Sequence, residues 1–481
     1  MEKPSVKKNF IYNTFFQILS VITPFITAPY VARVLGANGV GIYSYTSSIQ
    51  TYFSMFATLG TASYGAREIA RNRENAQMRS KLFWEIELMT VITTVICLAI
   101  WFTLILCSSA NRIYYIVLTF SILATLFDIS WFFTGLEQFK IIVIRNTILK
   151  ILGVICIFLF VKTEHDLAKY ILIFSMSSFL SSLSVWPYLK RYIVRVSFRD
   201  LKILRHFKET IVYFIPTISS SVYLVLDKTL IGLITKENSQ NGYYQQAEKI
   251  IEIAKNISFR ALNGVMGVRM SYLFAEKKFK EIHMRIENSI NIILFMGIGC
   301  AFGISGIAKD FVPIFYGAGY EDVIYLLYIF CPVIVITGIT TCTSSQYYVP
   351  VGKRMQNTKY ILVGSAINLI LNMIAIPKFK SYGAAVATIA AELVILILYI
   401  KNSSGYMPPR LLLKTGWKKL LAGSVMFTVV VLISCIKLTP IIKVAAEISC
   451  GAAVYIIMLL LLRDRWFIGL AKNMFGKIKR K

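Results

Sequence analysis

An ionisable side chain inside a long apolar stretch costs about 3 kcal/mol or more if it faces lipid, so it marks a bundle interior, a water-filled cavity or a bound ion. Such residues are few in this sequence. Arg33 closes the first apolar stretch, and Asp128 stands alone in I-L-A-T-L-F-D-I-S-W-F-F. Asp227 and Lys228 are adjacent in a later stretch, and Glu392 sits in another. The densest set is Glu248, Lys249, Glu252, Lys255 and Arg260. Glu248, Glu252 and Lys255 fall on one face of a helix, with Lys249, Asn256 and Arg260 on the adjacent strip. Glu252 is spaced to pair with Lys255. The stripe is either a cavity wall that meets water or an ionic ligand, or a self-satisfied ladder of ion pairs against a neighbouring helix. Asp128 is either a proton or sodium site or a structural hydrogen-bond partner. Asp227 and Lys228 pair locally or reach towards the polar stripe.

These residues are carried by about fourteen apolar stretches, each long enough for a helix to span a bilayer. They run roughly over 10–32, 42–66, 83–107, 114–136, 146–161, 169–190, 210–233, 243–266, 286–307, 321–348, 360–376, 383–401, 420–436 and 444–462. Of the 481 residues, 56% are hydrophobic and 16% charged, and the mean hydropathy is +0.64. A soluble chain of this length cannot hide so much apolar surface. The first stretch, about Phe10 to Val31, is too long for the apolar region of a cleaved leader and reads as a retained span.

Basic residues alternate around the stretches. With the N-terminus inside, about 38 Lys and Arg fall in inside segments and about 10 in outside ones, which makes both termini cytoplasmic. The densest inside segment holds Lys190, Arg191, Arg195, Arg199, Lys202, Arg205 and Lys208. Trp84, Trp131, Trp186, Trp417 and Trp466 near inside ends and Trp101 near an outside one read as interfacial anchors. The net charge of +28 is therefore an orientation signal and a set of anionic-lipid contacts rather than a nucleic-acid footprint.

No connection exceeds about 25 residues, which leaves no room for an extramembrane domain of ordinary size. The eight cysteines lie in or beside apolar stretches without a C-x-x-C, and the three histidines fall in connections. There is no phosphate-binding G-x-x-x-x-G-K-[ST], no H-E-x-x-H and no G-x-S-x-G, so neither ATP chemistry nor a cofactor is expected. Pro24, Pro29 and Pro216 inside spans predict kinks that can serve as hinges. A weak internal repeat pairs Pro24–Tyr43 with Pro216–Tyr244, and Trp131–Asn146 with Tyr347–Asn357. It implies two parallel six-helix copies, as in many transporters. The expected division is 1–209, an N-terminal lobe of helices 1–6 with a basic linker; 210–401, a lobe of helices 7–12; and 402–481, two more helices and a basic tail.

Several motifs resemble the polysaccharide (Wzx-type) flippases of the MOP superfamily. They are Lys8-Asn9-Phe10, Arg33-Val34-Leu35-Gly36, Gly39-Val40-Gly41-Ile42-Tyr43, Leu59-Gly60 and Gly65-x-Arg67-Glu68-Ile69-Ala70. They continue with Asp128-Ile129-Ser130-Trp131-Phe132-Phe133-x-Gly135-x-Glu137, Arg145-Asn146, Leu226-Asp227-Lys228, Gly242-Tyr243-Tyr244 before Glu248-Lys249, and Tyr382-Gly383-Ala384-Ala385-Val386-Ala387-Thr388. The resemblance implies an all-α polytopic membrane protein with two lobes around a central cavity, in a bacterial cytoplasmic membrane. It implies a polyprenyl-pyrophosphate-linked oligosaccharide as cargo, moved by alternating access for surface polysaccharide synthesis, with H⁺ or Na⁺ as coupling ion. Polysaccharide polymerase and glycosyltransferases are the expected partners, and a monomer the expected state. On that basis Arg33, Lys228, Lys249, Lys255, Arg260 and Arg269 are candidates for holding the pyrophosphate, and Asp128, Asp227 and Glu252 for ion coupling. Tyr43, Tyr243 and Tyr244 are candidates for packing on sugar rings. A MATE-like cation exporter, a lipid II flippase and a membrane polymerase or acyltransferase are the alternatives. The exporter predicts an acid-dominated lumen; the enzymes predict a large outside loop or a membrane histidine.

Overall fold

Lipid offers no partner to backbone N–H and C=O groups, so apolar spans must close their own hydrogen bonds. Accordingly, every regular element among the described residues is a helix. A computed structural model describes residues Val6–Ile478. Lys3, the bases beyond Ile478 and the side chains of Lys7, Lys8 and Pro216 lie outside what is described. Nine helical segments among the described residues are long and apolar enough to cross a membrane. The chain divides into two compact units between Gly242 and Tyr243.

The first unit contains α1 (Val6–Thr58), α2 (Thr61–Arg71), α3 (Ala76–Cys107), α4 (Arg112–Leu126), α5 (Ser130–Gly135), α6 (Phe139–Phe160), α7 (Leu167–Leu183), α8 (Trp186–Leu189) and α9 (Phe207–Thr235). The next helix, α10 (Asn238–Lys255), starts in it. α1 merges the first expected stretch and most of the second into one run of 53 residues. It leaves helical geometry at Gly36 (φ 65°, ψ 173°), beyond both Pro24 and Pro29. The break thus comes from a positive φ that glycine alone adopts cheaply, rather than from the prolines. Beyond it, α1 crosses the start of α10 with almost no space. A Cβ at Gly41 would lie 1.7 Å from the Asn238 carbonyl oxygen, and one at Gly242 2.1 Å from that of Ala37. Gly41 of the G-V-G-I-Y motif and Gly242 of the G-Y-Y motif are therefore packing residues.

Two of the expected interfacial tryptophans are core residues instead. Trp101 is fully buried among Val31, Tyr115 and Ile122, and its indole N–H reaches the Thr119 hydroxyl at 3.0 Å. Trp131 stacks with Phe83 and meets Phe132 edge-on. The basic connection after α8 is also fixed rather than loose. Glu85 of α3 accepts the Lys202 N–H at 2.7 Å and binds His206 at 2.8 Å, and Tyr64 binds the other ring nitrogen at 2.7 Å. His206, expected in a connection, is thus a buried structural residue.

In the second unit, α10 passes through a π-helical turn, Asn256–Arg260, into α11 (Ala261–Ala275). α12 (Phe279–Tyr316) and α13 (Glu321–Thr343) follow, the latter ending in a second π-turn, Ser344–Tyr348. Next come α14 (Arg354–Lys401), broken at Lys380, then α15 (Pro409–Ser434), α16 (Pro440–Leu461) and α17 (Arg465–Ile478). α12 packs against α13, α15 and α16. The fully buried Lys419 of α15 holds this arrangement through Asn291 Oδ1 at 3.0 Å, the Thr415 carbonyl at 2.8 Å and Asp464 Oδ2 at 3.1 Å.

Candidate functional site

Each unit has its own concentration of polar groups. In the first, hydroxyls recur along facing helices and leave a cavity of about 250 Å³. It is lined by Gln50, Ser54 and Thr58 of α1, Thr90 of α3, Ser121 and Thr125 of α4, and Asp128. Asp128 is not inside a continuous helix. It lies in the short break between α4 and α5, where its Oδ1 accepts the Ser130 N–H at 3.0 Å. A short acid able to bond nearby backbone favours such a helix start over a helix interior.

Near this cavity lie Glu87, not singled out from the sequence, and Arg145, singled out there only as part of the Arg145-Asn146 motif. Glu87 of α3 is 3% exposed, and neither carboxylate oxygen has a donor. Arg145 of α6 bonds Asn146 at 2.8 Å but leaves Nε and Nη1 buried without a partner. Both lie within electrostatic range of Asp128. Glu87 stands near the inside end of its stretch, beside Trp84 and Glu85, and reads there as part of a polar boundary. Its sequence signal is helical phase, three residues before Thr90 on the same face.

Asp227 is 4% exposed at the seam of α9 with α1, in electrostatic range of Tyr52. The neighbouring Thr229 hydroxyl bonds Ser48 at 2.8 Å, and the Lys228 carbonyl accepts from Asn241 at 2.9 Å. Arg33 is exposed on α1, just before the Gly36 break.

In the second unit the structure brings Glu252, Lys255 and Arg260 together. Lys255 Nζ lies 3.1 Å from Glu252 Oε1, Arg260 bonds Glu252 Oε2, and Arg260 Nη1 reaches Asn256 Oδ1 at 3.0 Å. The sequence puts Arg260 on the strip beside Glu252. Eight positions along an α-helix rotate a side chain about 80° away. The π-turn at Asn256–Arg260 absorbs one residue, a correction of about 100°, and returns Arg260 to the Glu252 face. The cluster has one acid against two bases, so one positive charge remains for an anion. Lys249 is half-buried one turn earlier on α10. Arg269 belongs to a separate group on α11 and α12, with Glu281 at 3.4 Å and Arg285 on the same carboxylate. Of the aromatic candidates, Tyr244 is buried edge-on against Phe330 at 5.2 Å and Tyr43 packs on Tyr170 at 5.2 Å. Both serve packing.

Comparison with known proteins places this chain among relatives. The family described as "Polysaccharide biosynthesis protein" matches residues 6–266. The "Putative O-antigen transporter" of Escherichia coli is 21% identical over 409 residues, covering 83% of this chain and 98% of its own length. Among solved structures, "Lipid II flippase MurJ, inward closed conformation" superimposes with a TM-score of 0.73 at 17% identity, covering 95% of this chain and 99% of that one. An inward-facing multidrug resistance MATE family transporter of the MOP superfamily gives 0.57 at 11% identity, covering 85% and 98%. At these identities the structural likeness is one of fold.

Proposed function

The chain belongs to the polysaccharide biosynthesis protein family, and from that premise we propose that it flips a polyprenyl-pyrophosphate-linked oligosaccharide across the bacterial cytoplasmic membrane by alternating access. The single observation that carries the cargo's chemistry is the Glu252–Lys255–Arg260 cluster, with its excess base on the α10–α11 helix run. Guanidinium and ammonium groups bind phosphate oxygens through charge-assisted hydrogen bonds, which suits a pyrophosphate headgroup and not an organic cation. The name of the Escherichia coli relative supports a cell-surface glycan as the rest of the cargo.

The coupling we propose is exchange: a proton or sodium ion counter-transported at Glu252 resets the carrier after the headgroup has left on the outer side. Arg33, Lys228, Lys249 and Arg269 supply further positive charge, and Asp128 and Asp227 are further acids for ion exchange. The protein acts as a monomer in the division 1–209, 210–401 and 402–481, with both termini cytoplasmic. It hands its product to a polymerase, and glycosyltransferases supply its cargo.

Complementation tests this reading. In a strain lacking its own O-unit flippase, this chain restores surface polysaccharide. Arg260→Ala and Lys255→Ala each lower it about tenfold or more, the equivalent of one charged hydrogen bond of about 1.5–3 kcal/mol. Full restoration by both variants overturns the site assignment.

A further inference from the structure

We infer that Glu447 and Asp310 share one proton at neutral pH and form a proton-binding site in the second unit, apart from the cluster on α10. Glu447 lies in α16 with 0% of its surface exposed. Neither of its carboxylate oxygens has a hydrogen-bond donor, and Asp310 Oδ2 of α12 lacks one too. The two carboxyl groups are within hydrogen-bonding reach of each other. Lys443, one helical turn before Glu447, gives its ammonium to Asp310 Oδ1 at 3.2 Å and to the Ser434 carbonyl of α15 at 2.7 Å. Tyr328 of α13 is a further titratable group in range of Asp310.

The charges decide the protonation. Two carboxylates and one ammonium leave one net negative charge beside partly buried Asp310 and Lys443 and on fully buried Glu447. An ionised carboxylate without a donor carries the full desolvation penalty. One proton cancels that charge and supplies the missing donor at once, since the acid O–H of one group bonds an oxygen of the other. Lys443 donates to Asp310 Oδ1, whereas both Glu447 oxygens lack a donor, so the proton resides on Glu447. A sodium ion in the same place would be repelled by that ammonium, which favours a proton over a metal cation.

Glu447 lies about 10 Å along α16 from its Pro440 end, and Asp310 is less than two turns from the C-terminal end of α12. Both helix ends fall on the side where the basic-residue pattern puts the outside connections, so the site exchanges its proton with the outer face. None of this depends on the cargo.

Infrared spectroscopy of the full chain in lipid nanodiscs distinguishes protonated carboxyls from carboxylates by their C=O stretch. Glu87→Gln serves as background, to remove the other acid with two donor-less oxygens among the described residues. At neutral pH a protonated-carboxyl band is expected that shifts in D2O and disappears on alkaline titration. Glu447→Gln removes it, Asp310→Asn moves its frequency, and Glu276→Gln on the surface leaves it alone. Absence of a Glu447-dependent band at neutral pH overturns the inference. So does a band that sodium abolishes at fixed pH, which makes the site a cation site. If Glu447→Gln yields no monodisperse protein, Asp310→Asn decides, because a band it leaves unmoved also overturns the pairing.

Discussion

Gly41→Ala will cost more stability than any other single-methyl insertion in the first unit, and Gly41→Val will leave no folded protein to extract. The added Cβ falls 1.7 Å from the Asn238 carbonyl oxygen, 2.5 Å from its carbon and 3.0 Å from the Gly242 nitrogen. All three are backbone atoms of α10, so no rotamer change relieves the clash. The helices must separate, and the reciprocal approach of Gly242 to Ala37 is lost with them. Overpacking by a methylene typically costs about 1–3 kcal/mol where side chains can adjust; here the expected loss exceeds that range. Gly264→Ala on α11 is the control, because its Cβ meets nothing within 4 Å. It should be neutral or stabilising by up to about 1 kcal/mol, since alanine is the better helix former. Thermal unfolding of the purified protein in detergent reads both. Equal melting temperatures for the two variants would remove the close crossing from the account.

Lys419→Met will destabilise the second unit by about 3–5 kcal/mol, the usual result of removing one partner of a buried ion pair. The ammonium is fully buried and spends its three donors on Asn291, Thr415 and Asp464. Without it, Asp464 keeps only the Phe467 N–H at 2.9 Å, its capping bond at the start of α17. The methionine stem retains the packing, so the loss reports the charge. Lys419→Met with Asp464→Asn should regain part of it, and the double-mutant cycle gives the coupling directly. Additive effects would mean that the pair carries no coupling.

How far the sequence reaches is clear from particular residues. Helical spans follow from apolar length, and all regular structure among the described residues is helical. Glu252 with Lys255 is legible because three positions bring side chains onto one helix face. Arg260 is not, because its place depends on a π-turn that no residue pattern announces. Trp101 and Trp131 look like interfacial anchors by position, yet neighbours distant in sequence bury them. Lys419, Asp310 and Glu447 sit at the edges of apolar stretches and look like boundary charges. Their partners are 45 and 133 or more residues away, so only tertiary packing reveals them. The glycine motifs were legible as a family signature, but their reason, a backbone-to-backbone crossing, is visible only in three dimensions.

The most direct measurement is flipping in proteoliposomes. The cargo is a polyprenyl-pyrophosphate oligosaccharide whose headgroup is read by a lectin or a fluorophore, with and without a proton gradient. Wild type is expected to move it, faster with the gradient, and Arg260→Ala and Lys255→Ala to lose about tenfold or more of the rate, one charged contact's worth. No movement of any lipid-linked sugar, together with proton-driven uptake of an organic cation, would contradict the account.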